Sequence, residues 1–199
     1  MFACELCVRQ GKLDDGFLAN AFRVAKENRN RTVVRQLHIL HGEWLLQNAR
    51  FAEAELAFEE AIAMARESGL PRPYVEVLQA TAQGEMGKTE QARETAERIA
   101  ELEDPPAVEL AELFLALNDH AKAREHALRG YHEAWADGMP YVNWWNLQRC
   151  RVVLQVLGEP EPQLPPFDPS KAKPLPFEAE LRKFIEELKA KKNAEPQKA

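Results

Sequence analysis

Residues 42–61 read GEWLLQNARFAEAELAFEEA, and this stretch decides the fold. Small residues stand at Gly42, Ala54 and Ala61, with a turn expected about seven residues after the first of them. Two antiparallel helices approach closely only where side chains are small, so Gly42 is expected to face Ala54 and Ala61 across a hairpin. Large residues such as Phe58 recur at helical spacing and fill the remaining volume. The stretch therefore predicts two packed antiparallel helices.

The same pattern recurs along the chain. Later copies have their turns at Gly87 and Asn118, equivalent to Ala49 in the stretch above, and a degenerate copy has its turn at Gly11. The equivalent small residues of the four copies are Gly16, Ala54, Ala92 and Ala123. Their spacings of 38, 38 and 31 residues lie on either side of the ~34-residue period of tetratricopeptide repeats. A surplus of about four residues is one extra helical turn.

On these residues the chain resembles the tetratricopeptide repeat (TPR) family over roughly residues 1–135. The resemblance implies an all-α fold, a right-handed α-solenoid of helical hairpins whose concave face is lined by the first helix of each pair. We expect this TPR-like solenoid over residues 1–158, a proline-rich extended linker over 159–176, a C-terminal capping helix over 177–192 and a disordered tail over 193–199.

The expected cap depends on an apolar stripe at helical spacing near the C-terminus. Its members are Phe177, Leu181, Phe184, Ile185 and Leu188. Burial of each such side chain stabilises a protein by ~1.5–3 kcal/mol, and open arrays need capped ends. We therefore expect the stripe to pack on the last solenoid helix, at Trp144, Leu147, Val152 and Leu154.

Five aromatic residues lie within 15 positions just before the proline-rich segment: Tyr131, Trp135, Tyr141, Trp144 and Trp145. One interpretation is a groove for proline-rich ligands, because aromatic side chains dock a preformed polyproline helix. The favoured interpretation is that the chain's own Pro160–Pro169 segment lies over them.

Composition and charge exclude several classes of protein. The 199 residues carry a net charge of −6 at pH 7, and residues 51–138 alone carry −11, which disfavours binding to nucleic acid. No apolar run reaches the ~18 residues of a membrane span, and no secretory signal stands in the first 20 residues. The three cysteines favour a reducing compartment. We therefore expect a cytoplasmic protein without a membrane or nucleic-acid partner.

Two motifs keep an enzymatic alternative open. Residues 82–89, AQGEMGKT, satisfy a relaxed phosphate-loop pattern, and residues 74–78 could form the preceding strand. Cys4, Cys7, His38 and His41 form two i, i+3 pairs of the kind that bind zinc. The alternative function is thus a nucleotide- or zinc-dependent enzyme. Because no nucleophile and base converge elsewhere, the favoured expectation is a protein with no catalytic residue, no metal and no cofactor.

A second resemblance concerns the C-terminal part of the chain. Residues 135–142, 164–171 and 175–178 look like the ends of TPR arrays that close bacterial signal-transducing (STAND-type) ATPases. This resemblance implies that the chain is a sensor or scaffold in a larger bacterial signalling or effector system. The activity of such an ATPase does not transfer, because the chain has no nucleotide domain of its own.

Matching the chain to the inward-facing positions of the repeat nominates a partner-binding surface on the concave face. The nominated residues are Glu5, Val8, Arg9, Gln36, Ile39, Glu43, Leu46, Gln47, Tyr74, Val77, Thr81, Glu85, Glu112 and Leu115. Family members that clamp acidic peptide tails need Lys and Asn at positions held here by Ile39 and Glu43. The expected ligand is therefore a neutral or basic segment of a protein or peptide partner.

Overall fold

A computed structural model describes residues 14–136, 138, 142–164 and 177–194, with the side chains of 188 and 190–194 excepted. This part of the chain contains nine α-helices and no strand, so the predicted all-α class is confirmed. The helices are α1 (Asp15–Glu27), α2 (Arg31–Gln47), α3 (Phe51–Glu67), α4 (Pro73–Glu85), α5 (Thr89–Ala100), α6 (Ala107–Ala116), α7 (His120–Trp135), α8 (Trp144–Val156) and α9 (Glu178–Ala194).

The turns predicted at Ala49, Gly87 and Asn118 are confirmed. Each of these residues has a left-handed backbone, with φ of 56°, 81° and 58° respectively. In each turn the amide of the next residue donates to the carbonyl five positions back, at 2.9 Å: Arg50 to Leu45, Lys88 to Gln83, and Asp119 to Phe114. These bonds satisfy carbonyls that the helix end would leave unpaired. Three hairpins, α2–α3, α4–α5 and α6–α7, therefore reverse by the same local geometry.

The close approach within the α2–α3 hairpin differs in detail from the prediction. Gly42, Ala54 and Ala61 are all buried, as expected. However, the atoms nearest to a Cβ built on Gly42 belong to the ring of Phe58, one turn beyond Ala54. The glycine therefore accommodates the phenyl ring, and the two alanines belong to the same core cluster as Phe58.

The buried core lies in three clusters that follow one another along the chain. The first joins α1 and α2 and includes Leu18 and Leu37. The second joins α2, α3 and α4 around Phe58. The third extends from α4 to α8 and includes Phe114 and Tyr131. Besides consecutive helices, the alternate helices α2 and α4, α4 and α6, and α6 and α8 also contact each other.

The start of the proline-rich segment lies on α7 and α8. Glu161 accepts a 2.6 Å hydrogen bond from the hydroxyl of Tyr131 and forms an ion pair with Arg151. Leu164 packs against the third core cluster, and Glu159 pairs with Arg124 at 2.7 Å. We name residues 159–164 the strap. The strap therefore contacts Tyr131 of the aromatic cluster, whereas Trp144 and Trp145 are exposed. Because residues 165–176 lie outside the described residues, the predicted cover of the cluster by Pro160–Pro169 stays a prediction.

The terminal helix α9 does not form the predicted cap in the described part of the chain. Its four described apolar side chains, Phe177, Leu181, Phe184 and Ile185, are all exposed, and α9 makes no substantial contact with another described helix. The surface expected to receive the stripe is also smaller than predicted. Of the four residues expected to receive it on α8, Leu147 and Leu154 are already buried in the third cluster, whereas Trp144 and Val152 are exposed.

Candidate partner-binding groove

One cavity of about 400 Å³ lies on the side of the molecule formed by α2, α4, α6 and α8. Its lining residues are Gln36, Leu40, Glu43, Leu46, Gln47, Leu78, Glu109, Glu112, Trp145 and Arg149. We name this cavity the groove. The helices α2, α4 and α6 are the first helices of the three hairpins, and α8 follows the last of them. Every second helix therefore contributes to one continuous surface.

The contribution of α2 follows from helical spacing. Gln36, Glu43 and Gln47 are separated by seven and four residues, so they lie on one face of the helix. Leu40 stands between them on the same face and is buried, while Leu46 is half-buried beside them. This wall of the groove combines polar side chains with an apolar base.

The opposite wall is built around Arg149 of α8. Its guanidinium donates from Nε and Nη2 to the two carboxylate oxygens of Glu112, at 2.8 and 2.5 Å, and from Nη1 to Glu109 at 2.7 Å. Glu109 and Glu112 are three residues apart on α6 and therefore point to the same side. Burial lowers the pKa of Arg149, but the hydrogen bonds and negative charges of Glu112 and Glu109 raise it by a larger amount. The pKa of Arg149 therefore lies above its ordinary value, and the guanidinium stays charged.

The groove is negatively charged. Among the lining residues that the structure describes, three carboxylates and one guanidinium give a formal net charge of −2. The effect reaches Tyr74 of α4, whose pKa is raised by burial and by the negative charge of Glu43. The ring of Trp145, one turn before Arg149 on α8, is 46% exposed and adds an aromatic face. Such a lining favours a ligand with both apolar and cationic groups.

The structure brings part of the predicted surface together. Five nominated residues line the groove: Gln36, Glu43, Leu46, Gln47 and Glu112. Ile39 and Val77 are not among the described lining residues, and both are buried in the core clusters. Their helix faces point to the neighbouring helices instead.

The other nominated residues lie around the groove or beyond it. Tyr74 and Leu115 are half-buried against the core, and Thr81 donates a 3.0 Å hydrogen bond to the carbonyl of Val77. Glu85 is exposed at the last turn of α4. The nominated residues Glu5, Val8 and Arg9 lie outside the described residues.

The repeat pattern did not nominate half of the described lining residues: Leu40, Leu78, Glu109, Trp145 and Arg149. Trp145 was singled out only as a member of the aromatic cluster. Two of these five residues carried a usable signal. Glu109 and Glu112 form an acidic i, i+3 pair on an otherwise apolar helix, and such a pair indicates a cation on a neighbouring helix. Arg149 lies on the next helix that can stack on α6, but α8 falls beyond the recognised repeats.

No family can be assigned by similarity. The chain matches no protein-family model, no curated protein and no solved structure. The relationship to TPR proteins therefore stays a prediction that depends on the repeat pattern.

The phosphate-loop-like segment forms the end of one helix and the start of another. Residues 74–78 belong to α4 and are not a strand, and Gly87 provides the left-handed turn. The amides of Gly87 and Lys88 donate to carbonyls at the end of α4. The Lys88 ammonium contacts Glu55 of α3 at 2.7 Å. These amides and this lysine are thus engaged within the hairpins.

Of the four candidate zinc ligands, the structure describes the two histidines. Cys4 and Cys7 lie outside the described residues. His38 packs edge-on against Phe22 at 4.8 Å, and His41 stacks on Trp44 at 6.1 Å; burial lowers the pKa of both histidines. Within the described residues, no three His, Cys, Asp or Glu side chains gather as a metal ion would require.

None of the helices described combines the length and apolar character needed to cross a bilayer.

Proposed function

We propose that this protein is a non-catalytic interaction module that holds a segment of a protein partner in the groove. The observation that carries the proposal is the lining itself, since residues from α2, α4, α6 and α8 converge on one cavity with leucines in its walls and carboxylates around them. Helical repeat proteins bind extended or helical segments on surfaces of this kind.

The proposal includes the architecture and the setting of the protein. The three equivalent hairpin turns and the contacts between alternate helices support a right-handed, TPR-like solenoid. A sensor or scaffold role in a larger bacterial signalling or effector system fits such a module, and a cytoplasmic location belongs to the same proposal.

The partner segment should be neutral or basic. The described lining residues carry a formal net charge of −2, which favours ammonium and guanidinium groups over carboxylates. The same charge would exclude acidic partner segments. The leucines and Trp145 supply apolar area, so a purely charged segment would leave part of the surface unused.

The test is affinity capture from a lysate of the organism that encodes the chain, with three immobilised variants compared against the unmodified protein. Leu46→Asp and Glu43→Lys alter the groove, and Glu59→Lys alters an exposed carboxylate on α3, outside it. We expect one set of captured proteins to be lost with the first two variants and retained with the third. Identical capture by all four proteins would show that the groove is not the binding surface.

A further inference from the structure

A second cavity, of about 370 Å³, lies where α1 meets the start of α2, and we name it the N-terminal cleft. Its described lining consists of three asparagines and six apolar residues: Phe17, Ala21, Val24, Ala25, Val33 and Leu37. The side chains of Phe17 and Val24 are each 42% exposed. Among the described helices, only α2 makes substantial contact with α1, so this apolar face of α1 stays open to solvent.

An apolar stripe on α9 is also open to solvent. Phe177 directly precedes the helix, and Leu181 and Phe184 follow it at intervals of four and three residues, which places them on one side. Ile185 lies beside Phe184 on the same helix. All four side chains are exposed, from 47% at Ile185 to 71% at Phe177. A stripe of large apolar residues of this kind marks a surface that packs on another element.

The two stripes match in spacing and in size. On α1, Phe17, Ala21 and Val24 are also separated by four and three residues. Side chains at this spacing form the ridges that interdigitate when two helices pack. Ala21 stands in the middle of the α1 stripe, and Leu181 stands in the middle of the α9 stripe. The small residue of one helix can therefore receive the large residue of the other.

Charge favours one direction of pairing. The helix α1 follows Asp14 and begins with Asp15, whereas Lys26 lies in its last turn and Arg29 follows its end. The helix α9 has two glutamates in its first turn, and Lys189 is the first of three lysines among its last six residues. Both helices thus change from an acidic start to a basic end. An antiparallel pair brings unlike charges together at both ends, whereas a parallel pair would bring like charges together.

From these features we infer that α9 of one copy of the chain docks antiparallel to α1 in the N-terminal cleft of a second copy. The two surfaces belong to opposite ends of the chain, and three consecutive core clusters separate them in the sequence. Because the cleft and α9 are different surfaces, the contact is head-to-tail, and it repeats until a ring closes or a filament grows. The cleft shares no described lining residue with the groove, so this inference does not depend on the proposed function.

Sedimentation velocity of the full-length chain over a range of concentrations tests the assembly. One docked helix forms a small interface, so we expect larger species to replace the monomer as the concentration rises. Val24→Asp in the cleft and Leu181→Asp on the stripe should each weaken association roughly tenfold or more, because a carboxylate is buried in an apolar contact. The controls Ala19→Asp and Ala179→Asp add the same group at exposed positions of α1 and α9 outside the two stripes, and should associate as the unmodified chain does.

A mixture of the two weakened variants identifies which surfaces meet. The Leu181→Asp chain retains an intact cleft, and the Val24→Asp chain retains an intact stripe. Their equimolar mixture should therefore form a one-to-one complex that grows no further. A mixture that stays monomeric would overturn the proposal, and so would an unmodified chain that is monomeric at every concentration.

Two other results concern the cleft and the direction of pairing. Unchanged association of Val24→Asp would contradict the proposal, and a lower melting temperature of that variant would then assign the cleft to residues 1–13 of the same chain. Asp15→Lys should weaken association, and adding Lys189→Glu to the same chain should restore it, because the exchange keeps unlike charges together in an antiparallel pair. Failure of the second substitution to restore association would rule out the antiparallel direction.

Discussion

The ring of Phe58 occupies the space beside Gly42, so that a Cβ on residue 42 would lie 2.5 Å from Cε1 of that ring. The ring is completely buried at the centre of the second core cluster. The absence of a side chain at position 42 therefore determines how closely α2 and α3 approach. Because α2 also forms one wall of the groove, this contact positions Glu43 and Leu46 as well.

Gly42→Ala should destabilise the protein. The added methyl group must displace a buried ring, and overpacking of this kind costs about 1–3 kcal/mol of the free energy of unfolding. Urea denaturation followed by circular dichroism would measure it. The double variant Gly42→Ala, Phe58→Leu should recover part of the loss.

Gly84→Ala in α4 is the matched control. There a new Cβ would meet its nearest neighbours at 3.8 Å, an ordinary contact, and alanine favours the helix by up to ~1 kcal/mol. We expect Gly84→Ala to be neutral or stabilising. Equal losses for both alanine variants would show that the Gly42–Phe58 contact is not tight.

Arg149→Met should destabilise the protein even without a partner. The substitution keeps the apolar stem but leaves Glu109 and Glu112 together without their cation, for which we expect a loss of about 1–3 kcal/mol in the free energy of unfolding. The comparison is Arg129→Met, which breaks an exposed ion pair with Glu133 and should cost less than ~1 kcal/mol. A loss no larger than that of Arg129→Met would mean that the network in the groove contributes little to folding.

Stability should fall on acidification because of His126. This histidine is buried, its ring stacks on Phe114 at 5.4 Å, and its Nδ1 has no hydrogen-bond partner among the described residues. Burial lowers the pKa of His126, so the folded state holds the neutral ring. The contribution of neutral His126 to the free energy of unfolding is therefore fully present above the pKa of about 6.5 that a histidine has in the unfolded chain. This contribution is lost as the pH falls through the lower pKa of His126 in the folded state.

The pH effect can be measured from melting temperatures at pH 7.5 and 5. His126→Phe, which cannot titrate, should narrow the difference between the two melting temperatures. His120→Gln changes an exposed histidine and should keep the full difference. An unchanged difference in His126→Phe would assign the acid sensitivity to other groups, such as His38 and His41, whose pKa values shift in the same direction.

Two truncated variants distinguish the contribution of the strap to stability from that of α9. Deleting residues 159–199 removes the contacts of Glu161 and Leu164 with Tyr131 and the third core cluster, so the melting temperature should fall. Deleting only 177–199 keeps the strap and removes a helix whose described apolar side chains are exposed, so the fall should be smaller. Equal falls would show that α9, rather than the strap, stabilises the last hairpin.

The fold could be predicted from the sequence where local rules determine it. The turns at Ala49, Gly87 and Asn118 follow from a repeated pattern of small residues, and the all-α class follows from apolar periodicity without strand signals. The facing of Gly42 and Phe58 was not predicted. It depends on the rotation of α3 about its own axis, which a list of small residues does not specify.

The groove was predicted only in part, because a groove is a property of several helices. The stripe on α2 could be found from helical spacing, and Gln36 and Glu43, nominated from it, line the groove. That they bind a partner stays a prediction. Ile39 and Val77 were nominated for the same surface but are buried in the core. A rotation of the helix by about one residue separates a position that faces a cavity from one that faces the next helix. Arg149 could not be matched, because α8 lies outside the repeats and its register against α6 is a long-range contact.

The division of the core into three clusters has a consequence for how the chain opens. Elements with separate cores can unfold locally, and amide hydrogen exchange then reports a different free energy of opening for each. The groove crosses this division, because α2 belongs to the first two clusters and α8 to the third. A ligand that spans it can bind only while α2 and α8 are both folded. Binding would therefore couple segments that otherwise open independently, and slower exchange in α1 would report occupancy of a site that α1 does not touch.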